Sequence, residues 1–166
     1  MSETPQGVFP KSAHLRKHAD FRKVYEQGRR HFSGNMTVFY LRRQADADVT
    51  PSGAGESSRP SVRKETARKE AGPVRVGFTV SRALGDSVER NRMRRRTREA
   101  VRHHLGALAN LPIPLDVVIN PKKSLLKADF TAISDEVERA FRVIRQNMVR
   151  QGSERPADTG RPGGQA

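Results

Sequence analysis

One strand followed by one long helix, in the middle of the chain, constrains the fold more than any other feature. Apolar side chains alternate with small or polar ones over residues 74–82, which predicts a strand with one buried face. Apolar residues then recur at helical spacing, and we expect this helix to begin near Ser87, a suitable N-cap, and to end near Ala109. Its apolar stripe comprises Met93, Ala100, Val101, Leu105 and Leu108. We expect such a helix to pack on a sheet and to present its other side to water.

The other side of this helix is rich in arginine. Residues 90–99 contain six arginines and a single acid, Glu99. A guanidinium group can hold phosphate oxygens in a bidentate way and keeps its charge at every physiological pH. The free N–H groups at the start of the helix favour anions at the same place. A charged run can be a merely solvated surface, but such surfaces usually mix both signs. We therefore predict contact with a nucleic acid.

Composition agrees with this prediction and excludes several other classes. The formal net charge is +14 on 166 residues, which produces a field that attracts polyphosphates. The absence of cysteine excludes disulfides, thiolate metal sites and cysteine nucleophiles. No apolar run is long enough to cross a bilayer, and the N-terminus lacks the pattern of a signal peptide. We expect a soluble, cytoplasmic protein with no membrane partner and no small-molecule substrate.

The chain is long enough for one domain, and its composition divides it. We predict a single domain over residues 11–150, which carries the nucleic-acid contact and is interrupted by a flexible insertion at 44–72 that is rich in Ser, Gly, Pro, Ala and charge. Residues 1–10 are expected to be frayed and residues 151–166 to form a disordered tail.

The remaining periodic segments complete a small α+β fold. Helices are predicted over 20–27 and 131–148, and strands over 35–43 and 115–120. Residues 29–32 are a candidate for an extra short strand. The expected order is helix, strand, strand, helix, strand, helix around a small sheet. The extra strand would lie between the first helix and the strand at 35–43. We predict a two-layer α+β sandwich, with one layer of sheet and one of helices.

A self-sufficient nuclease is an alternative class. His103 and His104 could serve as acid and base, but adjacent helical positions point in different directions and no third residue is placed to orient them. Acids that could suggest a metal site are Asp116, Asp129, Asp135, Glu136 and Glu138. Three of them lie in the first half of the last helix, where acids favour the helix dipole. We therefore predict no catalytic residue and no metal site on this chain.

The central segment also resembles a known family. The run VRVGFTVSRALGDSVERNRMRRRTREAVRHHL is similar to the core of the protein subunit of bacterial ribonuclease P, whose signature is an Arg-Asn-Arg helix after a Gly-containing strand and a Ser-Lys/Arg turn. Similarity extends to LRKHADFRKVYEQG, MTVFYL and LDVVINPKKSL. The insertion is longer than this family's usual connection, and Arg94 stands where lysine is common. The resemblance implies an unusual left-handed βαβ crossover, an exception to the right-handed rule.

What the resemblance implies about function is that the protein assists a catalytic RNA. In precursor tRNA, that RNA would hydrolyse the phosphodiester bond that joins the 5′ leader to the 5′ end of the mature tRNA. It would use Mg²⁺ that the RNA itself mainly holds. The protein alone would be inactive. The RNA-binding residues carried over from the signature are Arg90, Asn91, Arg92, Arg94, Arg95 and Arg98. The residues carried over to a cleft for the single-stranded 5′ leader are Lys17, Phe21, Arg22, Tyr25, Val38, Tyr40, Ser81 and Arg82.

Two alternatives stay open at this point. Phe21 and Tyr25 have the spacing of core residues in an amphipathic helix, although exposed aromatic rings could equally stack on unpaired bases. A generic basic RNA-binding protein, such as a ribosomal component, would share the charge and the small α+β fold.

Overall fold

The structure is a computed structural model that describes residue 9 and residues 11–43, 74–111 and 113–153. The insertion predicted at 44–72 lies outside the described residues, as do nearly all of the frayed N-terminus predicted at 1–10 and of the tail predicted at 151–166.

One four-stranded sheet forms the centre of the fold. Its strands are β1 (Arg29–Phe32), β2 (Met36–Arg42), β3 (Val74–Phe78) and β4 (Leu115–Pro121). They lie in the order β1-β2-β4-β3, with β2 antiparallel to both neighbours and β3 parallel to β4. The extra short strand considered at 29–32 is therefore present, and the predicted α+β class is confirmed.

Four helices accompany the sheet. They are α1 (His18–Gln27), α2 (Ser87–His104), α3 (Gly106–Ala109) and α4 (Phe130–Ser153). Short 3-10 helices cover Lys11–Ala13, Arg82–Leu84 and Lys123–Leu126. The helix predicted to run from 87 to 109 is broken near Leu105, just before a glycine, which is a poor helix former. Because β3 and β4 are parallel neighbours, the chain between them forms the βαβ crossover that the resemblance implies, and its left-handed sense stays a prediction.

The main core lies between one face of the sheet and the layer formed by α2 and α4. Val76, Val117 and Ile119 from the sheet meet Met93 of α2 and Phe141 of α4 in one buried cluster. Helix α1 packs on the opposite face, where a smaller core forms around Leu15, Val24 and Val118. The two-layer prediction thus describes the sheet and the α2–α4 layer, and α1 adds a partial third layer.

Both ends of the domain extend further than predicted. The ring of Phe9 is 5% exposed and lies edge-on to His14, with ring centroids 4.5 Å apart. The prediction that residues 1–10 are frayed is therefore wrong for Phe9, because this residue belongs to the buried main core. At the other end, α4 continues to Ser153, past the helix end predicted at 148 and the tail start predicted at 151.

Candidate nucleic-acid interface

Helix α2 begins with a complete capping box. Asp86, one residue before the predicted N-cap Ser87, accepts a hydrogen bond from the Glu89 N–H at 2.8 Å, and the Glu89 side chain accepts one from the Asp86 N–H at 3.1 Å. The preceding Gly85 has a φ of 153°, and a Cβ there would lie 1.9 Å from the Glu89 carboxylate. Only glycine permits this turn, which fixes where the arginine helix starts.

The buried side of α2 is formed by Met93, Thr97, Ala100 and Val101. Thr97 was missed by the sequence pattern because it is polar, yet it is fully buried. Its hydroxyl donates to the Met93 carbonyl at 2.8 Å, so its burial leaves no unpaired donor. This buried side sets the rotation of the helix and turns the arginines outward.

Three arginines of the predicted set are exposed on the solvent side of α2: Arg92, Arg95 and Arg98. Arg90 and Arg94 lie at the margins and are partly exposed. Arg98 lies over the ring of Phe78 in β3, with its guanidinium carbon 5.9 Å from the ring centroid. We call the side formed by Arg90, Asn91, Arg92, Arg94, Arg95 and Arg98 the arginine surface. All six residues predicted to bind RNA therefore lie on one helix, and their contact with RNA stays a prediction.

A depression of about 450 Å³ lies along one flank of this surface, lined by Val88, Asn91, Arg92, Arg95 and Arg96. Arg96 is the one arginine of the run outside the predicted set, and it has an internal role. Its guanidinium donates to the carbonyls of Leu125 at 2.7 Å and Leu126 at 3.4 Å, and also to that of Ala128. Arg96 thereby attaches the segment between β4 and α4 to α2, and its charge is less available to a ligand.

Glu99, the single acid of the run, is itself paired with cations. Its carboxylate accepts a hydrogen bond from the Arg102 Nε at 3.0 Å and lies 3.2 Å from the His103 Nε2. The hydrogen bond from Arg102, followed by the charge of that residue and by His103, lowers the pKa of Glu99. Glu99 therefore stays ionised, and its charge is directed toward the end of the helix beyond the arginine surface.

The two histidines of α2 point in different directions, as predicted. His103 faces Glu99, whereas the ring of His104 lies 2.8 Å from the Ser134 hydroxyl on α4. Within the described ranges no group of three or more His, Asp or Glu residues could hold a metal ion.

On the other face of the sheet, α1 places two aromatic rings against the strands. A Cβ on Gly77 of β3 would lie 2.5 Å from the Phe21 ring, so glycine is what lets this ring approach the strand so closely. The ring of Tyr25 packs edge-on to Phe39 of β2 with centroids 4.8 Å apart, and its hydroxyl donates to the Asn120 side chain at 2.8 Å. Both rings are half-buried, so each packs in the small core and keeps an accessible part.

Strand register decides which side chains of the sheet face α1. Phe39 pairs with Val118, and Thr37 pairs with Asn120, so Thr37 and Phe39 share the α1 side. We call this surface, formed by Phe21 and Tyr25 of α1 with Thr37, Phe39 and Asn120 of the sheet, the sheet cleft. Thr37, Phe39 and Asn120 were missed because each was judged from sequence without its cross-strand partner.

The assignment of Val38 and Tyr40 to the leader cleft is wrong. They are 0% and 3% exposed and face the α2–α4 layer, on the opposite side of β2 from Phe21 and Tyr25. The Tyr40 hydroxyl accepts a hydrogen bond from the Asn147 side chain on α4 at 2.8 Å. Since successive strand residues point to opposite faces, the cleft takes the neighbouring positions instead.

The other residues predicted for the leader cleft are exposed. Lys17 immediately precedes α1, and Arg22 lies on its outer side beside Glu26, with a nitrogen–oxygen distance of 3.5 Å. Ser81 and Arg82 lie at the turn after β3, where the Ser81 hydroxyl accepts from the Ala83 N–H at 3.3 Å. Lys17 and Arg22 thus belong to the start and the first half of α1, and Ser81 and Arg82 to the segment after β3. Their part in leader binding stays a prediction.

A cluster of charges joins α1 to the sheet. Arg75 of β3 donates to Asp116 of β4 through two nitrogens, at 2.8 and 2.6 Å, and to Asp20 of α1 at 3.1 Å. Arg43 also contacts the Asp116 carboxylate, at 3.2 Å. Burial alone would lower the pKa of Arg75, but the hydrogen bonds and charge of Asp116, together with Asp20, outweigh it and raise the pKa. Asp116 is thus a structural partner of arginine, and through Arg75 it helps to hold α1 against the sheet.

In the part of the chain that the structure describes, no helix is long and apolar enough to cross a membrane.

Known proteins share this sequence pattern and this fold. The family model described as Ribonuclease P matches residues 9–145. A ribonuclease P protein component from Brucella suis is 35% identical over 100 residues, which cover 60% of this chain and 68% of the relative. One from Oleidesulfovibrio alaskensis is 27% identical over 149 residues, covering 89% of this chain and 98% of the relative. The structure of Staphylococcus aureus RNase P protein, 19% identical, superposes with a TM-score of 0.55 over 80% of this chain and 95% of that one. The chain belongs to the ribonuclease P protein family.

Proposed function

We propose that this chain is the protein subunit of a cytoplasmic ribonuclease P ribonucleoprotein that removes the 5′ leader from precursor tRNA. The catalytic RNA subunit carries out the hydrolysis with Mg²⁺ that it holds mainly itself. The protein docks on that RNA through the arginine surface and binds the single-stranded leader in the sheet cleft. Membership of the family, over most of the chain, supports the role in this complex.

The observation that carries the docking step is the arrangement of charge on α2. Arg92, Arg95 and Arg98 are exposed on a helix whose opposite side is fully occupied by core packing. An exposed row of guanidinium groups suits the phosphate backbone of a folded RNA, because each group can hold two phosphate oxygens.

The sheet cleft has a different chemistry, which suits an unpaired strand. Half-buried rings of Tyr25 and Phe39 supply faces on which bases can stack, and cations on α1 can follow the backbone. The amide of Asn120 and the hydroxyl of Thr37 lie beside these rings and can bond to base edges or sugars. Stacking tolerates any base, so this surface fits a leader whose sequence varies between tRNAs.

Cleavage of precursor tRNA tests the proposal. The purified protein alone should leave precursor tRNA intact, and adding the catalytic RNA at low Mg²⁺ should give cleavage at the mature 5′ end, faster than with the RNA alone. A ribosome-type protein would bind RNA with similar salt dependence but would not accelerate this reaction. Cleavage by the protein alone, or no improvement of cleavage by the RNA, would refute the assignment.

Two double variants distinguish docking through the arginine surface from a general effect of net charge. Arg95→Ala with Arg98→Ala should lose the acceleration at low Mg²⁺. The control, Arg142→Ala with Arg145→Ala, removes the same charge at the same helical spacing from exposed positions on α4 and should retain it. Equal losses in both variants would show that net charge alone, and no particular surface, supports docking.

A further inference from the structure

The most exposed phenylalanine of the described residues belongs to β1. Phe32 is 68% exposed, at the last position of this edge strand. An isolated apolar residue on a surface needs no explanation. Phe32, however, is neither isolated nor randomly oriented, because the register of the sheet places it in line with the sheet cleft.

Cross-strand pairing defines that line. Phe32 pairs with Thr37, and Thr37 pairs with Asn120, so the three side chains form one row across three strands on the α1 side. The Asn120 side chain is the one that accepts the Tyr25 hydroxyl. Phe32 therefore continues the sheet cleft outward, past the edge that α1 covers.

A cation lies in the neighbouring row of the same face. Arg30 pairs with Phe39 and places its guanidinium carbon 5.7 Å from the centre of that ring. Arg30 is exposed, and rows on one face of a strand are about 7 Å apart. An exposed ring with an arginine beside it combines a stacking surface with a phosphate contact, the pairing used for single-stranded nucleic acids.

The hairpin that carries Phe32 is held from two sides. The Asn35 side chain donates to Glu136 of α4 at 2.6 Å, and the Lys122 ammonium donates to the Ser33 carbonyl at 2.6 Å. The Ser33 N–H also donates to the Met36 carbonyl at 2.9 Å. A fixed hairpin presents its ring without having to order on binding, which lowers the entropic cost of recognition.

We propose that Phe32 is an additional stacking site for a base of the single-stranded leader, with Arg30 holding an adjacent phosphate. This inference rests on the proposed function, because it extends the sheet cleft over β1. Charge favours an RNA strand over a protein partner here, since cations and no acids accompany Phe32 on β1. Only leaders long enough to reach the edge of the sheet would use this site.

Single-turnover cleavage by the holoenzyme tests this site. The readout is the holoenzyme concentration at half-maximal rate, for precursor tRNAs whose leaders are shortened one nucleotide at a time. With long leaders, Phe32→Ala should raise this concentration about fivefold or more, as expected for one lost stacked base. With leaders too short to reach β1 it should have no effect, and Phe32→Tyr should resemble the native protein throughout. Val149→Ala, at a 55% exposed apolar position on α4, is the matched control and should change nothing.

Each other outcome has a defined meaning. An unchanged Phe32→Ala variant, or one weakened equally for all leader lengths, would overturn the proposal for Phe32. So would a Phe32→Ala effect confined to the oligomeric state of the free protein, because the ring would then be a protein contact. If the native holoenzyme itself showed no dependence on leader length, the proposed function of the sheet cleft would fail as well.

Discussion

The arginine surface and the sheet cleft lie on opposite faces of one small sheet and are built in different ways. The arginine surface comes from one helix, so residues three and four apart in sequence are neighbours in space. The sheet cleft is assembled from α1, β2 and β4, and its members meet only through strand register. Charge dominates the first surface and aromatic rings the second, as expected if one meets a folded RNA and the other an unpaired strand.

The largest expected effect is a loss of stability on replacing Tyr40. This variant tests whether Tyr40 lies on the core side of β2 or on the side of the sheet cleft. Tyr40→Ala should lower the free energy of unfolding by about 3–5 kcal/mol, because it empties a buried position of the main core. Tyr40→Phe should cost only about 1 kcal/mol, since it removes just the hydrogen bond from Asn147. Denaturant unfolding measures both values. A stable Tyr40→Ala protein that lost affinity for precursor tRNA but not for mature tRNA would show that Tyr40 belongs to the leader cleft.

The next effect concerns the salt dependence of docking. Replacing both Arg95 and Arg98 by Ala should flatten the slope of log affinity for the catalytic RNA against log salt concentration by roughly 1.4–1.8, because each phosphate contact adds about 0.7–0.9. Folding should be nearly unchanged, since both side chains are exposed. Filter binding over a salt series measures the slope. A slope equal to that of the Arg142→Ala, Arg145→Ala control would show that Arg95 and Arg98 make no phosphate contact of their own.

The smallest effect is a shift in the pKa of His14, which depends in part on the charge of Arg98 in the arginine surface. Burial, then the charges of Arg98 and Arg16, lower the pKa of His14. Because the unfolded chain then binds the proton first, His14 lowers stability as pH falls below the ordinary histidine value of about 6.5, and this loss levels off below the folded pKa. Arg98→Ala should raise the pKa of His14, as should binding of catalytic RNA that neutralises Arg98. NMR titration, with His14→Gln for assignment, measures this pKa. A pKa that Arg98→Ala raises but that RNA binding leaves unchanged would place Arg98 away from the RNA.

These two surfaces also differ in how far the sequence predicts them. Helical periodicity alone predicts that Arg95 faces solvent. The internal role of Arg96 cannot be predicted in this way, because it depends on carbonyls some thirty residues later in the chain. In β2 the run from Val38 to Tyr40 is apolar at every position, so it contains no alternation that tells one face from the other. Thr37, just before this run, is the polar residue that indicates which side of β2 faces α1 and the sheet cleft. Register against β4 resolves the ambiguity, and a change of one residue exchanges the faces.

Site-specific crosslinking tests most directly the claim that the two surfaces serve two RNAs. The chain has no cysteine, so a single Arg95→Cys or Arg22→Cys substitution can carry a photocrosslinker at an exposed position. In the holoenzyme with precursor tRNA, the probe at Arg95→Cys should react with the catalytic RNA, and the probe at Arg22→Cys with the leader. The second product should disappear with mature tRNA while the first persists. Leader crosslinks from Arg95→Cys, or catalytic RNA as the sole product from Arg22→Cys, would contradict the account.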